Sequence, residues 1–286
     1  MVRFTKMQGL GNDYLLIDAM ESKLPPDATL SRLAKVLSDR HFGVGADGII
    51  LVLPSRVADF RMRIFNADGS EAEMCGNGVR LFARYVYERG YTREKDMEVE
   101  TLAGIVRPRL RLRGGAVEEV RVDMGEPRLR RSAIPMKGPD SPQVVNEPLR
   151  AAGRRFRITA VSMGNPHCVI FVDDVARAPV AEVGPAIENH DLFPQRTNVE
   201  FVQVVGPGDI RMRVWERGAG ETLACGTGAS AAVVAAVLNG LSTRKATVRL
   251  EGGNLKVHWS PEDGHVFTEG PAVEVFSGET RLDEQI

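Results

Sequence analysis

Two cysteines in matched surroundings, Cys75 and Cys225, are the residues of this sequence best suited to chemistry. Each lies between a turn and the start of a segment that favours a helix, and each is followed by the pattern Gly-X-Gly. Unpaired N–H groups and the positive dipole end of a helix start favour negative charge. Such a position lowers the pKa of a cysteine below its usual value of about 8.5. We therefore expect one thiol of the pair to be ionised at neutral pH.

An internal repeat relates these two cysteines. They are 150 positions apart (225 minus 75), and the same offset aligns Phe65 with Trp215, Glu71 with Glu221, Gly76 with Gly226, Gly78 with Gly228, and Gly90 with Gly240. Two similar halves of one chain commonly pack about a pseudo-two-fold axis, and small ligands often bind in clefts between domains. The repeat predicts that equivalent positions face each other across such a cleft.

Two thiols of opposite protonation state could invert a carbon centre, since one removes a proton from one face and the other supplies a proton to the opposite face. The glycines after each cysteine let a substrate carboxylate approach the helix start and accept its N–H groups. These donors would stabilise the negative charge that builds on the carboxylate when the proton leaves. A cysteine is more often a small buried apolar residue. That ordinary interpretation is kept for Cys168, which lies in the apolar run Cys168–Val172 and is predicted to be inert.

Three other polar residues remain open between functional and structural interpretations. His167 could be a ligand, a general base or a polar residue beside a strand. Glu216 and Arg217 form an adjacent acid–base pair that could recognise an amine and a carboxylate, or could be a solvated surface pair. The glycine-rich segment Gly43–Gly48 lacks the spacing of a dinucleotide fingerprint and the lysine of a P-loop, so it is predicted to be a turn.

The elements that must position these residues alternate between strands and helices in each half. Apolar spacing and turn residues predict helices over Leu30–Leu37, Val79–Arg89 and Ala229–Asn239, with strands before each cysteine over Arg61–Phe65 and Ile210–Trp215. The segment Pro127–Pro148 contains five prolines and is predicted to be a connector. We therefore expect two domains, residues 1–127 with Cys75 and residues 128–286 with Cys225, which suits a chain of 286 residues.

The composition excludes several classes of protein. A hydrophobic fraction of 43% and a net charge of -1 are those of a globular protein without a polyanionic partner, so nucleic acid is not expected. The apolar stretch Ala229–Leu238 is too short to cross a bilayer, and the N-terminus lacks a secretory pattern, so neither a membrane nor export is expected. Three scattered cysteines predict neither a disulfide framework nor a metal site, and they favour the reducing cytoplasm.

Five motifs together resemble the diaminopimelate epimerases, over nearly the whole chain: Gly11–Asp13, Met74–Gly78, Gly164–His167, Trp215–Gly218 and Ala224–Gly228. The resemblance implies interconversion of LL- and meso-2,6-diaminopimelate without pyridoxal phosphate or any other cofactor, in lysine and peptidoglycan precursor biosynthesis. It implies an α/β (α+β) fold of two pseudo-symmetric domains, each a curved mixed sheet around a central helix, with the active site in the interdomain cleft. A last strand, about residues 272–278, would pack back on the first half, and the enzyme would be a homodimer.

The resemblance also implies roles for individual residues. Cys75 and Cys225 correspond to the acid–base pair, and His167 and Glu216 to residues that assist it. The residues that correspond to the cradle of the reacting carboxylate are Gly76, Asn77, Gly226 and Thr227. Those that correspond to the contacts of the distal end of the substrate are Asn12, Asn66, Asn165, Asn198 and Arg217, with Glu216 near an amine. One departure is Gly48, where some members carry glutamine.

Three rival functions differ from this one in what they require. Proline racemases and hydroxyproline epimerases also use paired cysteines, but they typically have histidine where this chain has Asn77. Their cyclic substrates also lack the second amino-acid end that Glu216 and Arg217 could hold. A thiol–disulfide redox protein would require a short Cys-X-X-Cys or an exposed resolving cysteine. A non-catalytic amino-acid-binding protein would leave the duplicated thiols without a purpose.

Overall fold

The computed structural model describes residues 2–21 and 25–281. Two compact units emerge, Met1–Val122 together with Gly270–Ile286, and Asp123–Glu269. The division falls between Val122 and Asp123, five residues before the boundary after Pro127 that the sequence predicts. The class is mixed α and β, with two sheets and few helices, as the sequence predicted.

The first unit contains a mixed sheet, two helices and a separate hairpin. In chain order its elements are β1 (Val2–Gly9), β2 (Asn12–Asp18), α1 (Asp27–Ser38), β3 (Gly48–Leu53), β4 (Phe60–Asn66), β5 (Glu71–Ala72), α2 (Gly76–Glu88), β6 (Val99–Thr101), β7 (Gly104–Val106) and the hairpin β8 (Arg109–Arg113) and β9 (Ala116–Asp123). Helix α2 packs against β1, β2 and β3. Its inward side chains, Val79, Leu81, Phe82 and Val86, are fully buried, and burial of each such side chain stabilises the fold by about 1.5–3 kcal/mol.

The second unit repeats this plan with a longer sheet. Its elements are β10 (Val144–Ala151), β11 (Arg154–Ser162), β12 (Pro166–Phe171), α3 (Val180–Glu188), β13 (Asn198–Gly206), β14 (Asp209–Glu216), β15 (Gly220–Thr222), α4 (Gly226–Leu238), β16 (Lys245–Leu250), β17 (Gly253–Trp259) and β18 (Val266–Gly270). Helix α4 consists almost entirely of alanine, valine and glycine and packs against β11–β14, β16 and β17. A helix that is apolar on all sides is a buried helix, and Val233 and Val234 are fully buried.

The last strand, β19 (Val273–Thr280), pairs antiparallel with β1 and belongs to the first unit. The strand order of that sheet is β19-β1-β2-β3-β4-β6-β7, with β5 beside β4. Strand β19 therefore ends the sheet on one side.

Part of the predicted connector Pro127–Pro148 is a strand, so that prediction was wrong at its C-terminal end. Strand β10 pairs antiparallel with β11, and Pro148 lies opposite Arg157 within it. Proline lacks an N–H group to donate, which confines it to edge strands, and β10 begins the strand order of the second unit.

Each unit contains a parallel pair of strands, and the residues that face each other in the two pairs can be matched one to one. In the first unit the parallel strands β2 and β3 place Tyr14 opposite Gly48 and Leu16 opposite Ile50. In the second unit the parallel strands β12 and β13 place His167 opposite Asn198 and Val169 opposite Glu200. Tyr14 thus corresponds to His167, Gly48 to Asn198, and Ile50 to Glu200.

Candidate active site

Cys75 caps the N-terminus of α2. Its backbone is extended, and its Sγ accepts a hydrogen bond from the N–H of Gly78 at 3.5 Å. The side chain is half-buried, 3.8 Å from the hydroxyl of Tyr14 and 3.8 Å from Oδ1 of Asn12. Both contacts come from β2, where residues two apart share a face. The sulfur therefore lies between the start of the helix and one face of that strand.

A chain of amide hydrogen bonds continues inward from this sulfur. The Asn77 side chain donates to Oδ1 of Asn12 at 3.1 Å, and the guanidinium of Arg80 donates to Oδ1 of Asn77 at 2.8 Å. Nδ2 of Asn12 donates to Asp47 at 2.6 Å, which fixes the orientation of the Asn12 amide. Asn12 and Asn77, both predicted as substrate contacts, are brought together here.

Tyr14 is a neutral donor to the sulfur. Burial, followed by the negative charge of a Cys75 thiolate, raises the pKa of Tyr14 well above its usual value. The phenol therefore stays protonated across the physiological range and can donate its O–H to Cys75.

Asn66 lies at the end of β4, outside this chain of hydrogen bonds. Its side chain donates to the Ser70 hydroxyl at 3.0 Å and it pairs with Gly48 across the sheet. A Cβ on Gly48 would stand 2.3 Å from the carbonyl oxygen of Phe65 and 3.0 Å from the Tyr14 ring. This backbone thus has no room for a larger side chain at position 48.

Cys225 caps α4 in the same manner as Cys75 caps α2. Its Sγ accepts the N–H of Gly228 at 3.4 Å and lies 3.4 Å from the hydroxyl of Thr227. The residue is buried, with 5% of its surface exposed. Gly226 and Gly76 are the first residues of their helices, so each cysteine is followed at once by free backbone N–H groups.

A polar chain also leads inward from Cys225, but it ends on an acid. The Asn165 side chain donates to Thr227 at 3.3 Å, and Oδ1 of Asn165 lies 3.0 Å from Nε2 of His167. Nδ1 of His167 lies 2.6 Å from Oε1 of Glu200, and both side chains are fully buried. The amide nitrogen of Asn165 donates to Thr227, so the atom that faces His167 is the amide oxygen. This oxygen accepts a hydrogen bond from Nε2 of His167. The predicted residues Asn165, His167, Thr227 and Cys225 therefore form one connected group.

The surroundings of Cys225 disfavour its thiolate. Burial, then the charges of Glu216 and Glu200, raise the pKa of Cys225 well above its usual value, while the Thr227 hydroxyl and the Gly228 N–H act in the opposite direction. Burial likewise raises the pKa of Cys168, which is fully buried in β12. Cys168 is a core residue of the second unit, as predicted.

Glu216 and Arg217 begin a loop that a buried amide and a buried acid hold in place. Oδ1 of Asn198 accepts the backbone N–H of Arg217 at 2.9 Å, and Glu188 accepts that of Gly218 at 2.9 Å. The Glu216 carboxylate accepts a hydrogen bond from the hydroxyl of Thr222. The Arg217 guanidinium is exposed and donates to the carbonyl of Gln195 at 3.0 Å.

Sequence reasoning missed four residues of these networks: Tyr14, Arg80, Glu188 and Glu200. One signal was available for Glu200, which interrupts the apolar strand Asn198–Gly206, because a carboxylate is almost never buried without a partner. Among residues 2–21 and 25–281, no group of three or more His, Cys, Asp or Glu side chains could hold a metal ion. No helix in the same ranges is long and apolar enough to cross a membrane.

Comparison with known proteins identifies extensive similarity over the whole chain. Residues 4–130 and 159–275 match the family described as diaminopimelate epimerase. The diaminopimelate epimerase of Moorella thermoacetica is 61% identical over 99% of this chain and 100% of its own length. That of Methanococcus maripaludis is 49% identical over 97% of this chain and 99% of its own length.

Solved structures of lower identity share the fold. A probable proline racemase from Agrobacterium radiobacter, with bound carbonate, superposes with a TM-score of 0.72 at 18% identity, over 99% of this chain and 94% of its own. A phenazine biosynthesis protein of the PhzF family from Bacillus anthracis gives 0.71 at 18% identity, over 98% of both chains. At such identities the likeness concerns the fold alone.

Proposed function

The chain belongs to the diaminopimelate epimerase family, and we propose on that premise that it interconverts LL- and meso-2,6-diaminopimelate with Cys75 and Cys225 as its acid–base pair. The observation that carries the proposal is the duplicated cap. In each unit a cysteine sulfur accepts the N–H of the third residue after it, at the start of a helix that has free N–H groups.

The proposed reaction balances without a cofactor. A thiolate takes the α-hydrogen as a proton, and the electron pair of the broken C–H bond is delocalised into the α-carboxylate. The second thiol then gives its proton to the opposite face, which forms the new C–H bond and leaves that sulfur as the thiolate. The backbone N–H groups of Gly76, Asn77, Gly226 and Thr227 would hold the carboxylate as its charge grows.

The assisting residues have distinct proposed tasks. His167 would act through Asn165 and Thr227, since those two side chains connect it to Cys225. Glu216 would face the amine of the substrate and Arg217 its distal carboxylate, since a planar guanidinium suits a carboxylate. Asn198 would position the Arg217 loop, because its amide is bonded to the backbone of Arg217 and of Pro166. Asn12, Asn66 and Asn165 complete the proposed set of substrate contacts.

We further propose a homodimer in the cytoplasm. Strand β19 ends its sheet with Val275 and Phe276 exposed at 53% and 45%. An exposed apolar edge strand is a ready template for pairing with another chain, and a second copy would cover it. Sedimentation should give twice the chain mass of 31.3 kDa, and Val275→Lys should give the monomer.

Conversion of LL-diaminopimelate by the pure protein tests the proposed activity. The isomers are separated by chiral chromatography, and the reaction should approach a mixture of LL and meso forms without added cofactor. L-Proline and trans-4-hydroxy-L-proline serve as parallel substrates for the rival racemases. Inversion of either imino acid with none of diaminopimelate would overturn the proposal, and so would the absence of any inversion.

A further inference from the structure

Glu188, the last residue of α3, is a buried acid that accepts hydrogen bonds from three donors. Only 6% of its surface is exposed. The indole Nε1 of Trp215 donates to its Oε2 at 2.7 Å, and the backbone N–H of Gly218 donates to its Oε1 at 2.9 Å. The guanidinium of Arg196 donates to the same Oε1 at 3.1 Å. A carboxylate is almost never buried without partners, and these three donors meet that requirement.

Two of these donors lie on either side of Glu216 and Arg217. Trp215 comes immediately before this pair, and Gly218 comes immediately after it. The pair lies at the end of β14, where the chain turns back into the antiparallel strand β15. The Glu188 carboxylate therefore fixes the chain both before and after Glu216 and Arg217.

Of the two residues, Arg217 depends more on this acid. Glu216 has a partner of its own, because its carboxylate accepts a hydrogen bond from the hydroxyl of Thr222 on β15. The peptide group that joins Arg217 to Gly218 is the one whose N–H donates to Glu188. The exposed guanidinium of Arg217 therefore extends from a backbone that Glu188 holds in place.

The first unit ends the equivalent helix without an acid. Helix α1 ends at Ser38, which the repeat aligns with Glu188 (188 minus 150). The Ser38 hydroxyl is buried and has no hydrogen-bond partner within residues 2–21 and 25–281. The residue aligned with Trp215 is Phe65, which has no side-chain N–H to donate. Since α1 packs against β4 as α3 packs against β14, the shared fold forms without an acid at this position.

The two units also differ in the pair of residues that follows this aromatic side chain. The residues aligned with Glu216 and Arg217 are Asn66 and Ala67, and neither is charged. At the end of the helix, a buried acid thus accompanies the charged pair, whereas a serine accompanies the uncharged pair. Because the fold does not require Glu188, we look for its purpose in the charged pair.

We propose that Glu188 is a positioning residue that holds Arg217 where it can bind the distal carboxylate of the substrate. This assignment rests on the proposed function, which gives Arg217 that task. All three neighbours of the acid are donors, so the side chain must present acceptor oxygens to each of them. An amide of the same shape would turn an N–H toward one of these donors and lose that hydrogen bond. Because Arg217 binds the end of the substrate that does not react, the loss should weaken binding and leave the chemical step almost unchanged.

Steady-state kinetics of Glu188→Gln with LL-diaminopimelate test the proposal. KM should rise about tenfold or more, the effect expected for one lost hydrogen bond to a charged group. The value of kcat should stay within about threefold, as it does when only binding is weakened. The matched control is Glu182→Gln on the same helix, where the acid is exposed and pairs with Arg154. This control should change neither parameter.

A double-mutant cycle determines whether Glu188 acts through Arg217. Glu188→Gln is repeated in an Arg217→Met protein, which lacks the guanidinium. There it should have no further effect on KM, because substitutions that remove one shared contribution are not additive.

Trp215→Phe is the second variant, for the case in which thermal melts show that Glu188→Gln does not fold. It removes the indole donor at a position where the first unit has Phe65. It should raise KM about threefold or more, and this increase should also vanish in the Arg217→Met protein.

Backbone amide signals of ¹⁵N-labelled protein report on the loop without turnover. Glu188→Gln and Trp215→Phe should each move the signals of Arg217 and Gly218, whereas Glu182→Gln should leave both in place.

The outcomes separate this proposal from the proposed function. An active enzyme whose KM is unchanged by Glu188→Gln, or is changed equally by Glu182→Gln, would overturn the role of Glu188. Additive effects of Glu188→Gln and Arg217→Met would overturn the route through Arg217. A wild-type protein that does not invert diaminopimelate would overturn the proposed function. In that protein, displaced amide signals of Arg217 and Gly218 would still support the positioning of the loop, and unmoved signals would overturn it.

Discussion

Gly228 and Glu200 lie so close that a methyl group on the glycine would stand 2.9 Å from Oε1 of the acid. The same methyl would lie 3.3 Å from the sulfur of Cys225. Glu200 is fully buried among β-strands and hydrogen-bonded to His167, so it has little freedom to withdraw. The requirement for glycine at this place in α4 is therefore steric, whereas the N–H that caps the sulfur is available from any residue except proline.

Gly228→Ala should lower kcat for epimerisation by about 100-fold, because a displacement of about 1 Å among catalytic groups has effects of that size. Alanine favours a helix more than glycine by about 1 kcal/mol, so loss of helix propensity does not explain the loss. The control is Gly206→Ala on β13, where an added Cβ meets no atom within 4 Å. Steady-state rates and thermal melts are compared. Normal turnover by Gly228→Ala would contradict the steric argument.

Removal of either thiol should abolish inversion. Cys75→Ala and Cys225→Ala should each lower the rate by at least about 10³-fold, since each removes the acid or base on one face. Cys168→Ala is the matched substitution at a fully buried cysteine in β12. It should keep near-normal turnover and lose about 1 kcal/mol of unfolding free energy by denaturant titration. Turnover near the wild-type rate in either of the first two variants would contradict the acid–base assignment.

The sequence predicted the two central helices but placed their starts three residues late. It predicted Val79 and Ala229, whereas α2 and α4 begin at Gly76 and Gly226. Glycine has a low helix propensity, so a pattern-based reading excludes the Gly-X-Gly segment. The cysteine sulfur, as the N-cap acceptor, keeps these residues helical. The chemistry of the cysteines was therefore readable, while their exact relation to the helix was not.

The buried pair His167 and Glu200 was harder to predict, because the strand topology brings the two residues together. His167 and Glu200 are 33 residues apart, and they meet because β12 and β13 are parallel neighbours. Parallel neighbours require a crossover, and no local pattern specifies which residues it brings together. The burial of Arg80 was not predicted for a different reason. An arginine in an amphipathic helix is ordinarily exposed, and only the structure reveals that this one is fully buried.

Thr227→Val should move the alkaline limb of the pH–rate profile to higher pH. A thiolate and a thiol are both needed, so the profile of kcat/KM should be bell-shaped. Its alkaline limb should report Cys225, whose pKa is raised by burial, Glu216 and Glu200 and lowered by the Thr227 hydroxyl. Valine removes that hydroxyl and keeps the backbone N–H, so the pKa should rise further. Ser230→Ala, which removes a hydroxyl that donates to the helix carbonyl of Gly226, is the control. A downward shift in Thr227→Val would contradict the assignment of the limb.

Hydrogen exchange in heavy water should distinguish two thiols from a single base that serves both faces. The donating thiol carries solvent deuterium, whereas the abstracting thiolate captures the hydrogen of the substrate itself. Early product from LL-diaminopimelate should therefore contain deuterium at the inverted carbon. The remaining substrate should keep its hydrogen, because reversal returns the captured one. A single base would carry part of the original hydrogen into product. The isomers are separated at low conversion and analysed by mass spectrometry. Substantial retention of substrate hydrogen in early product would refute paired action by Cys75 and Cys225, even in an active epimerase.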